Sequence, residues 1–124
     1  MNLLDSNIVI AAASSDDGTM DRLVLENSYS VSVVTRIEVL GFHRLTQEDR
    51  VDLLAFLAGG EELPLDDEVA ENAVRLRQER RMSLGDAIIA ATALVHGLPL
   101  VTRNGDDFKH VAGLELINPF QTSV

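Results

Sequence analysis

The sequence predicts an α/β fold, a three-layer α/β/α sandwich around a mostly parallel central sheet. Short apolar segments with strand character recur along the chain, separated by stretches with helical spacing. Parallel neighbours need a crossover, usually a helix, so this alternation builds a sheet covered on both faces. The segment LGDAIIAATALVHG is apolar on nearly every side and has to be a buried helix. Finally, a chain of 124 residues, 46% of them hydrophobic, can bury one core but hardly two, so a single domain over residues 1–124 is expected.

The elements follow in order. Asn2 to Asp5 (NLLD) reads as a short buried strand, with Ser6 and Asn7 as caps to an apolar helix, IVIAAA, and SSDDGT as a loop. A second helix is expected from about Met20 to Asn27. YSVSVVT has the alternation and β-branched content of a strand ending near Thr35. Thr35 and Glu38 have capping-box spacing before RIEVLGFHRL, and Thr46 and Asp49 repeat it before RVDLLAFLA, which predicts two more helices. Gly59 and Gly60 stop that run, and ELPL is a short strand. DDEVAENAVRLRQERR is an amphipathic helix whose acids at the start and arginines at the end suit the helix dipole. Ser83 caps the buried helix and Gly97 ends it. LPLVT is an apolar strand, NGDD a turn, and LELIN a last strand before Pro119.

Composition narrows the function. There are 20 acidic against 10 basic side chains, a formal net charge of -10, which disfavours a passive nucleic-acid binder acting by counterion release. The absence of Cys removes disulfides, thiolate zinc sites and Cys nucleophiles and fits a reducing compartment, so the cytoplasm is expected. The N-terminal apolar run lacks a basic n-region and contains Asp5, so it is not expected to direct secretion. No apolar stretch reaches the roughly 18 residues of a membrane helix.

In open parallel sheets ligands bind beyond the carboxyl ends of the strands, which selects Asp5 and the segment Thr102 to Asp107. Asp86 sits in the first turn of the buried helix, and Glu38 in the first turn of the helix after YSVSVV, which would bring a third carboxylate to the same rim. Each acid alone reads more readily as a cap or a dipole partner than as part of a site. Together they would repel and raise one another's pKa unless a cation lay among them. With no Cys or His in these segments the ligands are hard oxygens, favouring Mg²⁺, with Mn²⁺ as a substitute, over Zn²⁺. Water held by such an ion can attack a phosphodiester.

LLDSNIVI, TRIEVLGF, SLGDAIIAATALVHGLPLVTRNGDDF and LELINPF resemble, in this order, the PIN domain, specifically VapC-type toxin ribonucleases. The resemblance runs from Met1 to about Phe120. It implies that Asp5, Glu38 and Asp86 are the metal-binding and catalytic acids. At the fourth acidic position the chain has Asn104, with Asp106 and Asp107 following, and which of these assists the metal stays open. Asn7 and Thr35 match positions that would hold the carboxylates by hydrogen bonds, and both serve equally as caps. The resemblance further implies an RNA substrate, a homodimer and a small cognate antitoxin.

Arg103, in the turn after LPLVT, is the best candidate for touching substrate, unless it braces its loop. Arg81 ends a cluster with Arg75, Arg77 and Arg80 that is either a phosphate contact or an ordinary cationic helix end. His43, His96 and His110 are read as packing or surface residues. Aromatics, 4% of the chain, are too few to stack several bases. The leading expectation is therefore a Mg²⁺-dependent endoribonuclease toxin. The alternative is a catalytically weak or inactive PIN-fold module that binds RNA or antitoxin, with Asn104 as its mark. A receiver-like domain phosphorylated on Asp5 is disfavoured, because Asp5 ends the first strand and no Lys stands directly after the last strands.

Overall fold

The computed structural model describes residues 1–14 and 28–120. Five strands, β1 (Asn2–Leu4), β2 (Tyr29–Ser32), β3 (Glu61–Leu63), β4 (Leu100–Val101) and β5 (Leu116–Ile117), form one sheet in the order β3-β2-β1-β4-β5. Every pairing is parallel. Leu3 is in register with Ser30 on one side and Leu100 on the other, so β1 is the central strand. The described α-helices are α1 (Ser6–Ser14), α2 (Val33–Leu40), α3 (Gln47–Ala58), α4 (Asp67–Glu79) and α5 (Leu84–His96). None is long and apolar enough to cross a membrane.

The period of two along a strand sends successive side chains to opposite faces, and this chain fills both. Leu3 and Leu100 join Val69, Ala73 and Leu76 of α4 and the buried run Ala87–Ala93 of α5 on one face. Leu4, Val31 and Val101 join Ile8 and Val9 of α1, Val39 of α2 and Leu53 of α3 on the other. The expected three-layer sandwich is thus present. Thr92, buried within α5, donates to the Ile88 carbonyl at 2.7 Å, so its own hydroxyl is satisfied in the core.

Several caps sit where the side-chain chemistry placed them. Thr46, Asp66 and Ser83 accept from the backbone N–H of Asp49, Val69 and Asp86 at 3.1, 2.9 and 3.1 Å. Gly97 ends α5 at φ 64, a left-handed conformation that glycine adopts without steric cost.

Other boundaries differ from expectation. β2 ends at Ser32, not near Thr35, because Ser32 Oγ accepts from Val34 N–H at 3.1 Å and starts α2 three residues earlier. Thr35 and Glu38 therefore form no capping box: Thr35 lies in the first turn and Glu38 in the second. α2 stops at Leu40, so GFHRL is not helical. The third strand is Glu61–Leu63 and not ELPL, since Pro64 has no N–H to continue the ladder. α4 ends at Glu79, two residues short of Arg81, and the NGDD turn is a 3₁₀ helix over Gly105–Asp107. At the N-terminus, Ser6 and Asn7 are the first helical residues, and Asp5 takes the capping place. The helix expected over 20–27 lies outside the described residues.

Candidate active site

In this strand order the chain leaves β1 towards β2 and β3 on one side and returns to β4 and β5 on the other. The crevice beyond β1 is thus a topological switch point, where open α/β sheets bind ligands. Asp5, the first residue after β1, stands in it. Its Oδ1 accepts from Ser6 N–H at 2.8 Å, and its backbone carbonyl accepts from the N–H of Ile8 and Val9. Its Oδ2 accepts from Thr102 Oγ1 at 2.8 Å, just beyond β4, and from Asn7 Nδ2 at 3.5 Å. A carboxylate 6% exposed is thereby held by groups that follow β1 and by one that follows β4.

The other acids reach the crevice on helices. Glu38 is brought in from the second turn of α2, where Ser6 Oγ donates to its Oε1 at 2.8 Å. Thr35, fully buried one turn earlier, has its hydroxyl 3.4 Å from the same Ser6 oxygen. Asp86 is in the first turn of α5, and the neighbouring Gly85 keeps the two helices close: a methyl group there would meet Glu38 Oε2 at 3.4 Å.

Burial raises the Asp5 carboxyl above its ordinary value, and the Asp107 charge adds to this; hydrogen bonds from Thr102 and Ser6 work in the opposite direction. Asp86 is raised too, first by burial and then by the charge on Asp5, with Asp107 and Glu38 contributing and Ser83 opposing. The four acids therefore share one electrostatic field. Among Asn104, Asp106 and Asp107, only Asp107 takes part in it. Asp106 is nearly fully exposed and pairs with Lys109 at 3.3 Å. Asn104 precedes the 3₁₀ helix, its N–H donating to Thr102 Oγ1 at 3.0 Å.

An all-oxygen donor set whose members repel one another suits a hard divalent cation. Among the described residues, no three His, Asp or Glu side chains converge into a ready-made cage.

Asn7 Oδ1 accepts from Arg103 N–H at 3.4 Å, tying the start of α1 to the turn after β4. The Arg103 guanidinium rests over the Phe120 ring, 4.0 Å from its centroid. Arg81 is exposed and makes no hydrogen bond or ion pair with a described residue, so the structure does not bring it to the carboxylates. In the same cluster Arg75 pairs with Glu79, and Arg77 Nε donates to the Met82 carbonyl at 3.3 Å. His110 is half-buried, with Nε2 lacking a described partner.

Sequence reasoning gave no role to Ser6 beyond capping and none to the Thr102 hydroxyl, yet these two donors position Glu38 and Asp5. Their signal was position: each is a hydroxyl directly after a strand or its terminal acid.

An all-parallel sheet with acidic residues around the crevice at its switch point defines an open-sheet α/β domain. The PIN domain profile matches residues 3–114, and the chain belongs to that family. It is 30% identical to Ribonuclease VapC1 of Rickettsia felis, over 93% of both chains. It is 33% identical to Ribonuclease VapC5 of Mycobacterium tuberculosis, over 90% of this chain and 87% of that one. A toxin-antitoxin complex from Klebsiella pneumoniae contains a chain that superposes with a TM-score of 0.81 at 29% identity, covering 98% of this chain and 100% of that one. DNA-bound VapBC from Salmonella typhimurium, at 21% identity and a TM-score of 0.84 over 96% and 99%, shows the same fold.

Proposed function

We propose that the protein is a Mg²⁺-dependent endoribonuclease, the toxic component of a toxin–antitoxin pair. What supports this is that Asp5, Glu38 and Asp86 border the crevice beyond β1, with the Asp107 charge acting on Asp5 and Asp86, on a chain similar to VapC ribonucleases. Asp5, Glu38 and Asp86 would hold the ion, with Asp107 as the nearby fourth acid. Mg²⁺, or Mn²⁺ in its place, supplies Lewis-acid stabilisation of phosphate charge and an activated water. The chain's own part is orientation. Thr102 and Ser6 fix Asp5 and Glu38, Asn7 links Asp5 to the Arg103 turn, and Thr35 fills the space behind Ser6.

An antitoxin partner and a homodimer belong to the same reading. Between α1, α2 and α3 lies an apolar hollow of about 320 Å³ lined by Ile10, Ala13, Val39, Phe42, Leu45 and Leu53. Glu38, Asp49 and Asp52 also line it, so it adjoins the acid cluster and suits an apolar segment of a basic antitoxin.

The deciding experiment compares RNA degradation by wild type, Asp5→Asn and Asp86→Asn, in Mg²⁺ and in chelator. Loss of cleavage in both variants and in chelator is expected; full activity of the variants would overturn the mechanism. One observation favours a second reading, a module that binds RNA or antitoxin without turnover: Asn104 is neutral where the resemblance places an acid. Tight RNA binding by wild type without Mg²⁺-stimulated cutting of any RNA pool would select it.

A further inference from the structure

Beside the carboxylates lies a second hollow, of about 430 Å³, walled by the Thr102–Asp107 turn on one side and by Leu116, Ile117 and Asn118 on the other. It adjoins the acid cluster directly, because Thr102 and Asp107 belong to both. Arg103 lines it, and Phe120, 45% exposed, backs the Arg103 guanidinium at 4.0 Å. Asn118 holds this pair in place: its Nδ2 donates to the Arg103 carbonyl at 3.5 Å and its Oδ1 accepts from Phe120 N–H at 2.9 Å.

In a chain with ten excess negative charges, Arg103 makes no ion pair with any described residue and instead lies on an aromatic ring. A guanidinium held against a ring is a fixed planar surface, and such planes stack unpaired bases. The remaining lining is poorly suited to a bare phosphate: Lys109 is paired with Asp106 at 3.3 Å, Asp107 adds a negative charge, and Asn104 and Asn118 offer amides. An uncharged base meets no such repulsion, and its N–H donors suit the carboxylates and amides.

We propose that this hollow holds one unpaired nucleobase of the RNA strand, next to the bond being cut, stacked on the Arg103 guanidinium with Phe120 as the positioning residue behind it. The proposal rests on the ribonuclease reading above and adds to it a base-reading subsite.

Arg103→Lys keeps the charge and removes the plane, and Phe120→Ala removes the backing. Wild type and both variants are given one randomised RNA pool in Mg²⁺, and the ends produced are sequenced. Wild type is expected to prefer certain bases at one position flanking the cut. Both variants flatten that preference and raise KM about tenfold, the scale of one lost base stack, while Phe120→Trp restores it. Binding is measured in parallel in the Asp86→Asn background, with a short RNA and the same RNA abasic at the flanking position. Both variants weaken the first about tenfold and leave the second unchanged. An Arg103→Lys enzyme with wild-type preference, KM and RNA affinity would overturn the subsite. Wild type that cuts no RNA would overturn the nuclease reading instead, and the binding comparison then decides the subsite by itself.

Discussion

Thr102 donates a 2.8 Å hydrogen bond to the Asp5 carboxylate across a sequence separation of 97 residues, and both groups are buried. This bond joins the ends of the two central strands and sets the orientation of the most enclosed acid. Thr102→Val preserves shape while leaving Asp5 Oδ2 without its shortest donor. The expected cost is about 1–3 kcal/mol of stability, read as a lower denaturation midpoint. Mg²⁺-dependent RNA cleavage falls about tenfold, whereas Thr102→Ser retains most of both.

Asp106 and Asp107 are adjacent in sequence and differ in surroundings. Asp107 shares the field of Asp5 and Asp86; Asp106 stands in solvent beside Lys109. Asp107→Asn is expected to lower cleavage by about ten- to a hundredfold, in line with the loss of a group supporting a metal site. Asp106→Asn stays within about threefold of wild type, since an exposed ion pair contributes little. Initial rates across a Mg²⁺ titration distinguish the two.

Asp86 keeps its proton to higher pH in the folded state than in the unfolded chain, because of burial and the charge on Asp5. Its ionisation therefore opposes folding as pH rises above the ordinary value of 3.8 towards the raised folded-state value. In chelator at pH 7, Asp86→Asn is expected to melt roughly 2–4 °C higher than wild type. The gain shrinks as pH falls towards 4. Mg²⁺ raises the wild-type Tm and has little effect on the variant, which calorimetry with and without the ion measures.

Gly60 lies against Tyr29 so closely that a methyl group would meet its ring carbon at 2.5 Å and its backbone carbonyl at 3.1 Å. The ring cannot easily move: it stacks on Phe56 at 4.8 Å, and its hydroxyl donates to the Phe56 carbonyl at 2.6 Å. Gly60→Ala is expected to destabilise the protein by about 1–3 kcal/mol through overpacking. Cleavage measured well below the new midpoint stays near wild type, because the substitution is on the far side of β2 from β1 and its crevice.

The layer architecture and the rim acids were legible because they follow from hydrophobic periodicity and from which residues end the apolar strands. Asp5 after NLL and Asp86 after Ser83 needed no tertiary knowledge. Glu38 was placed on the right helix and in the wrong turn, since Ser32 and Thr35 are both competent caps and only backbone geometry chooses between them. Nothing local distinguishes Asp106 from Asp107; the pitch of the 3₁₀ helix does. The hydroxyls of Ser6 and Thr102 escaped for the same reason, since each acts across the sheet on an acid from another element. The pairing of Arg103 with Phe120 depends on β5 lying beside β4, which no short pattern encodes.

The central position of β1 also bears on how the protein is made. Its partner β4 is far from it in sequence, Leu3 pairing with Leu100, and pairings so distant close slowly. On the ribosome Asp5 emerges 97 residues ahead of Thr102, so a chain interrupted between them lacks half of the crevice. The crevice is thus assembled only once β4 has docked on β1, which ties whatever chemistry it performs to completion of the central sheet.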